Sequence, residues 1–274
     1  MSGFAFVLVL GAVVSHAGWN FFVKSSADRL GAMVTVLSAV TLVGLILLPF
    51  VPIPDSPRIW ALIGISALFH YAYNINLLLA YRFADLSLAY PLARGAVPLL
   101  VLGLAYWSIQ ELPPTQGIIG ICSVAAGIML LSFSARKVDP RGLILALMTS
   151  LWIAGYTVVD GMGVRETVTP LSFIAWSFAA HGLIPMVVWL GIWRGKTPQG
   201  FWRMAPVGLL SPLAYGLVLW AKITTDFAAV SALRETSVLI AALAGVFLLG
   251  EGQARLRLSA AGCVALGAAL VVLA

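Results

Sequence analysis

The sequence predicts an all-α polytopic membrane protein, with ten transmembrane helices arranged as two inverted five-helix repeats. Three observations predict it. The 274 residues are 61% hydrophobic and only 9% charged, with a mean hydropathy of +1.03, whereas soluble domains carry ~25% charged residues. Ten apolar segments, each near the ~20 residues needed to cross hydrocarbon, follow one another with short connectors. Residues of special chemistry then recur at a constant offset of 140.

The segments fall at about 3–23, 31–51, 59–80, 86–108, 115–134, 142–162, 170–193, 204–223, 228–249 and 256–273. Charge, proline and glycine mark the connectors, as in "PIPDSPR", "QELPPTQ", "WRGKTPQGFWR" and "GEGQARLR". The opening "MSGFAFVLVLGAVVSHAGWNFFVK" lacks a basic leader and turns polar toward its end. It reads as the first span rather than a secretory signal.

Basic residues are distributed unevenly. The odd connectors hold eleven: Lys24, Arg29, Arg82, Arg136, Lys137, Arg141, Arg194, Lys196, Arg203, Arg255 and Arg257. The even ones hold three: Arg58, Arg165 and Lys222. The positive-inside rule puts the odd connectors in the cytoplasm and both termini outside.

The repeat rests on paired positions. Arg94 lies seventeen residues before Glu111, and Arg234 lies seventeen before Glu251. Gly127 and Gly267 keep the same offset, and "AGWN" at 17–20 parallels "AGYT" at 154–157. The two units are therefore 1–137 and 138–274. Five spans per unit is odd, so the copies insert with opposite orientation, the arrangement that places a site at the midplane.

The net charge of +6 and the pI of 9.6 are explained by orienting loops. No segment is basic enough to track phosphates, so no nucleic-acid partner is expected. Cys122 and Cys263 sit inside apolar runs, which supports neither a disulfide framework nor a metal cluster. The sequence shows no hydrolase triad, P-loop or cofactor motif. No catalytic residue, cofactor or metal is predicted, and glycines such as those of "GIIGICSVAAGIM" serve close helix packing.

Polar residues inside the spans form stripes. His16, Trp19 and Asn20 share one helical face, as do His70, Tyr73 and Asn74, then Thr149, Trp152, Tyr156 and Asp160, then Ser211, Tyr215 and Lys222. Polar groups facing lipid are costly, so these faces turn toward one another or toward water. Other roles compete. Trp60, Trp107, Trp193 and Trp202 fit interfacial belts. His70 and His181 suit an interhelical hydrogen bond as well as a lining position.

The charges are the sharper signal. Arg94 sits roughly 12 Å into the fourth span at ~1.5 Å per residue, between Pro91 and Pro98, whose rings bend a helix and free carbonyls. Arg234 occupies the matching place in the ninth span, followed by Glu235. Burying one ion costs at least ~2.5–3.5 kcal/mol, so Glu235 should pair with Arg94, Arg234 or Lys222. Neighbours on a helix project about 100° apart, which predicts that Arg234 and Glu235 do not both point the same way. A carboxylate in low dielectric holds its proton more tightly, so Glu235 and Asp160 are the proton-coupling candidates. A purely structural ion pair is the competing account. Glu111 and Glu251, beyond the span ends, are expected in solvent or paired with loop arginines.

"SHAGWNFFVK", "AYPLARGAVPLLVLGLAYWSIQE" and "ALRETSVLIAALAGVFLLGE" together resemble the ten-span EamA branch of the drug/metabolite transporter superfamily. The resemblance implies a central cavity formed by spans 1, 3, 4, 6, 8 and 9. It also implies export or exchange of small metabolites across a bacterial inner membrane. The expected substrate-binding residues are His16, Trp19, Asn20, His70, Tyr73, Asn74, Tyr90, Arg94, Tyr156, Tyr215, Arg234 and Glu235. A mixed-sign, aromatic-lined site suits a small zwitterion such as an amino acid, moved with or without protons. A lipid-headgroup carrier or an intramembrane enzyme built from His16, His70 and Asp160 is the alternative.

Overall fold

The computed structural model describes residues 1–26, 28–83, 86–134, 139–192, 194–195, 201–238 and 254–274. Every regular element among them is helical. In chain order the helices are α1 (Gly3–Ser25), α2 (Arg29–Leu47), α3 (Pro57–Phe83), α4 (Leu86–Gly95), α5 (Val97–Ile109), α6 (Thr115–Leu130), α7 (Pro140–Glu166), α8 (Pro170–Ala180) and α9 (Leu183–Val187). They continue as α10 (Phe201–Gly208), α11 (Leu210–Ala221), α12 (Phe227–Glu235) and α13 (Ala254–Leu273).

Local chemistry sets the boundaries. Ser2 caps α1 by accepting the amide of Ala5 at 3.2 Å. Asp28 caps α2 through Gly31, and Asp139 caps α7 through Arg141, both at 2.8 Å. A side-chain acceptor supplies one of the hydrogen bonds the first turn lacks. Prolines place the interruptions. The fourth segment breaks at Ala96, between Pro91 and Pro98. The seventh breaks at His181 and Gly182, just before Pro185, and the eighth at Leu209, after Pro206. These last two breaks correct the expectation of continuous spans there.

Among the described residues six stretches are long and apolar enough to cross a membrane: Gly3–Val23, Gly31–Phe50, Pro91–Ile109, Pro140–Glu166, Pro170–Gly191 and Arg255–Leu273. Two shorter apolar helices, Thr115–Leu130 and Ala205–Ala221, accompany them. The third predicted span is the long α3, and the ninth begins as α12. Residues 239–253, including Glu251, lie outside the described residues, as does 196–200. The chain is thus a membrane protein, all-helical among the described residues.

Helices from the first half pack against helices from the second in antiparallel pairs. Along α3 and α7, Arg58 meets Glu166, Phe69 covers Gly155 and Asn76 reaches Thr149. Along α1 and α11, Leu217 covers Gly11 and Leu210 covers Gly18. Along α2 and α8, the backbone at Phe178 and Ala179 presses on Gly44, and Ser172 donates to the carbonyl of Pro52 at 2.7 Å. In α6 and α13, Gly120 faces Gly267 while Gly127 faces Ala260. Such close approach suits small residues, because helices in lipid gain mainly from packing contact.

Candidate functional site

The interrupted helices α4 and α12 bring their charged ends together. Glu235, fully buried, ends α12. Its Oε2 lies 2.7 Å from Nε of Arg94, and its Oε1 lies 3.0 Å from Nη2 of Arg234. Both arginines are buried too. The ion pair crosses between the halves, as expected of Glu235. The pairing of Arg234 with its own neighbour corrects the sequence expectation. Directions differ by about 100° at Cβ, but α12 gives way to a turn at Thr236, and the long guanidinium stem curls back. Lys222 takes no part in the pair among the described residues.

Arg94 also donates from Nη2 to Nε2 of His16 at 2.8 Å. A guanidinium can only donate, so Nε2 is the accepting nitrogen and the imidazole is neutral. Trp19 stands edge-on to His16 at 5.1 Å. Its indole Nε1 is buried with no acceptor among the described residues. The described ionic side chains here are therefore two guanidiniums and one carboxylate, an excess of one positive charge.

A second polar cluster lies across Tyr156. His70 stacks on Tyr156 at 3.9 Å and adjoins His181 at 4.2 Å. Tyr215 meets both His70 and Tyr156 edge-on and donates its hydroxyl to Oδ2 of Asp160. Tyr73 meets Tyr156 at 6.0 Å. Lys222, fully buried, donates to the carbonyl of Thr157 at 2.8 Å.

Other expected residues fare differently. Asn20 donates to the carbonyl of His16 at 2.8 Å, and Asn74 to that of His70 at 2.7 Å. Each amide thus gives one N–H to its own helix. Thr149 receives Asn76 and Trp152 tilts on Phe69, so the start of that stripe packs α7 against α3. The side chain of Tyr90 lies outside the described residues. Trp107 is exposed, as an interfacial residue would be, whereas Trp60 bonds the carbonyl of Pro54 and packs on Trp176.

Arg94, Arg234 and Glu235 line neither of two cavities formed by the described residues. A cavity of about 180 Å³ lies beside them, lined by Phe6, Val9, Leu10, Val13, Leu233, Thr236 and Ala268. It is apolar and sits between α1, α12 and α13. A crevice of about 20 Å³ adjoins the second cluster, lined by Leu37, His70, Tyr71, Asn74, His181 and Ile184.

Glu111, expected in solvent or paired with a loop arginine, belongs to a larger grouping. Arg165 pairs with Glu111 at 2.5 Å, donates to the carbonyls of Lys222 and Thr225 and covers the ring of Phe227 at 4.0 Å. Glu111 also receives the amide of Phe227 at 2.6 Å. Burial, with Glu111 nearby, raises the carboxyl pKa of Asp226 above its usual range. Nearby, the hydrogen bond and charge of Glu166 hold Arg58 protonated still more firmly. A signal was present. Arg58, Arg165 and Lys222 are the three basic residues on the basic-poor side, and all three are engaged by protein groups.

Residues 140–273 match the EamA-like transporter family. The match covers just under half of the chain and is a similarity of its second half to that family. A solved protein structure 16% identical superposes on 100% of this chain and 98% of its own, with a TM-score of 0.76. At that identity the likeness shows a shared fold alone. No curated protein matches the chain.

Proposed function

We propose that this chain is an EamA-type secondary transporter, not an enzyme, that moves a small polar solute carrying a carboxylate, such as an amino acid, by alternating access. The observation that carries the reading is the buried Arg94–Glu235–Arg234 group, built from both halves and one positive charge in excess. Guanidiniums form strong charge-assisted hydrogen bonds with carboxylates, and a substrate carboxylate fits beside them. Trp19 Nε1, without an acceptor among the described residues, supplies a further donor. Because both oxygens of Glu235 already face guanidiniums, a substrate ammonium would rest on the rings of Tyr156 and Tyr73 through cation–π contact.

Two inverted five-helix units, 1–137 and 138–274, support the alternation. The family match begins at residue 140, beside their boundary. Helices α4 and α12 end at Gly95 and Glu235, again 140 apart. The antiparallel partners exchange in the order an inverted repeat requires: segments 3 and 6 pack like 8 and 1, while 5 with 10 and 2 with 7 map onto themselves. The bacterial inner membrane, with odd connectors in the cytoplasm, fits the basic residues.

A thermal-shift screen of purified protein against amino acids and small carboxylates tests binding, since a ligand at 100 times its Kd adds about 2.7 kcal/mol. Stabilisation by a carboxylate, lost in Arg94→Lys, is the expected result. Stabilisation by neutral solutes alone would contradict it. A lipid-headgroup carrier is a second reading, favoured by the apolar cavity between α1 and α12. Stabilisation confined to phospholipids would select it.

A further inference from the structure

The core contains a second buried carboxylate that the substrate site does not use. Asp160 is fully buried in the last third of α7. Glu235 has both oxygens on guanidiniums at 2.7 and 3.0 Å, so a proton added there must break an ion pair. Asp160 touches no guanidinium. Its Oδ2 accepts the Tyr215 hydroxyl, while Oδ1 makes no bond of full hydrogen-bond geometry among the described residues and has the Ser66 hydroxyl close by. Lys222 forms no ion pair with it among the described residues, because its ammonium is held by the Thr157 carbonyl.

We propose that Asp160 is a proton-binding site, supplied with water through the crevice at His70 and His181, and that Glu235 stays a fixed anion. The proposal rests on the transporter reading for its role in coupling. The crevice volume of about 20 Å³ holds one water. His181 lines it, and its Nε2 is buried with no partner among the described residues. The His181 ring adjoins His70, which adjoins Tyr215, so a short polar path leads to the carboxyl.

The groups facing Asp160 are Ser66 and His70 from α3, Tyr156 from its own helix, and His181 from the turn after α8. From α11 and its end come Tyr215 and Lys222. Arg234, Arg165 and Glu111 act on that cluster from farther away, through Lys222. In the step itself a hydronium proton forms an O–H bond at Oδ1, one water is released, and the carboxyl charge goes from negative to neutral. Tyr215 keeps its own proton and its bond to Oδ2. The ammonium of Lys222 then lacks a nearby counter-charge, so a substrate anion binds more readily to the protonated protein. Proton and anion thereby favour each other's binding, as linkage requires.

Infrared difference spectroscopy of purified protein, titrated over the pH range in which it stays folded, tests this without any solute. The expected result is a high-frequency C=O band of a buried protonated carboxyl that grows on acidification. It shifts in protein labelled with carboxyl-¹³C aspartate, vanishes in Asp160→Asn and persists in Glu235→Gln. If Asp160→Asn does not fold, labelled Asp226→Asn protein decides, since it removes the other aspartate whose pKa burial raises. No titrating band, a band that follows labelled glutamate, or one that survives in folded Asp160→Asn would overturn the assignment. A transport assay that fails leaves this result intact, and failure here leaves the transporter reading intact.

Discussion

Glu235 shows what a single buried charge does in this protein. Two guanidiniums share it, so removing it strands two cations rather than one. Glu235→Ala is expected to lower unfolding free energy by about 3–5 kcal/mol, the cost of breaking a buried pair, as measured by denaturation in detergent micelles. Glu235→Ala with Arg94→Gln should recover part of that loss, the signature of direct coupling in a double-mutant cycle. Asp226 gives the pH dependence. Its folded pKa is raised by burial, so its stabilising contribution is present at low pH and lost as pH rises through that folded value. Asp226→Asn should therefore melt higher than wild type at neutral pH, with the advantage shrinking on acidification. At this scale the sequence was only partly legible. The cross-bundle partner of Glu235 could be read from the 140-residue offset. Arg234 was also among its candidate partners, but that both arginines bind it at once could not be read, because it depends on α12 ending where it does.

At the scale of elements, the interruptions matter as much as the helices. The break after Gly95 was legible from Pro91 and Pro98. Its counterpart at Thr236 has no proline and follows only from the repeat. The breaks at His181–Gly182 and Leu209 were missed, because an apolar run with one proline reads as continuous. Helix contacts are set by glycine. A methyl group on Gly44 would stand 2.4 Å from the amide of Ala179, and one on Gly120 would stand 2.7 Å from the carbonyl of Gly267. Backbone atoms cannot rotate away, so Gly44→Ala and Gly120→Ala should each cost about 1–3 kcal/mol, the usual cost of overpacking. Gly64→Ala, with open space at its Cβ, is the control and should leave the melting temperature unchanged. Asn20 and Asn74 teach a related lesson. Their stripes were visible, but helical periodicity does not reveal that each amide folds back on its own backbone.

At the scale of the whole molecule, a group of ties joins the halves on the side of the even connectors. Arg165, Glu111 and the amide of Phe227 join there, with Arg58 and Glu166 beside them. Glu111→Gln should loosen that side. If it removes about 1–2 kcal/mol, the open population rises roughly five- to thirtyfold. A cysteine at Thr157, in a background lacking Cys122 and Cys263, should then react that much faster with a membrane-impermeant thiol reagent applied from that side. Transport itself remains the central claim, and it rests on Arg94 and Arg234 meeting a substrate carboxylate. The most direct measurement is uptake of radiolabelled amino acids and small carboxylates by proteoliposomes. The account predicts saturable, competable flux of at least one carboxylate-bearing solute, abolished in a folded Arg94→Lys protein. Flux that is absent for every such solute, or unchanged in that variant, would contradict it.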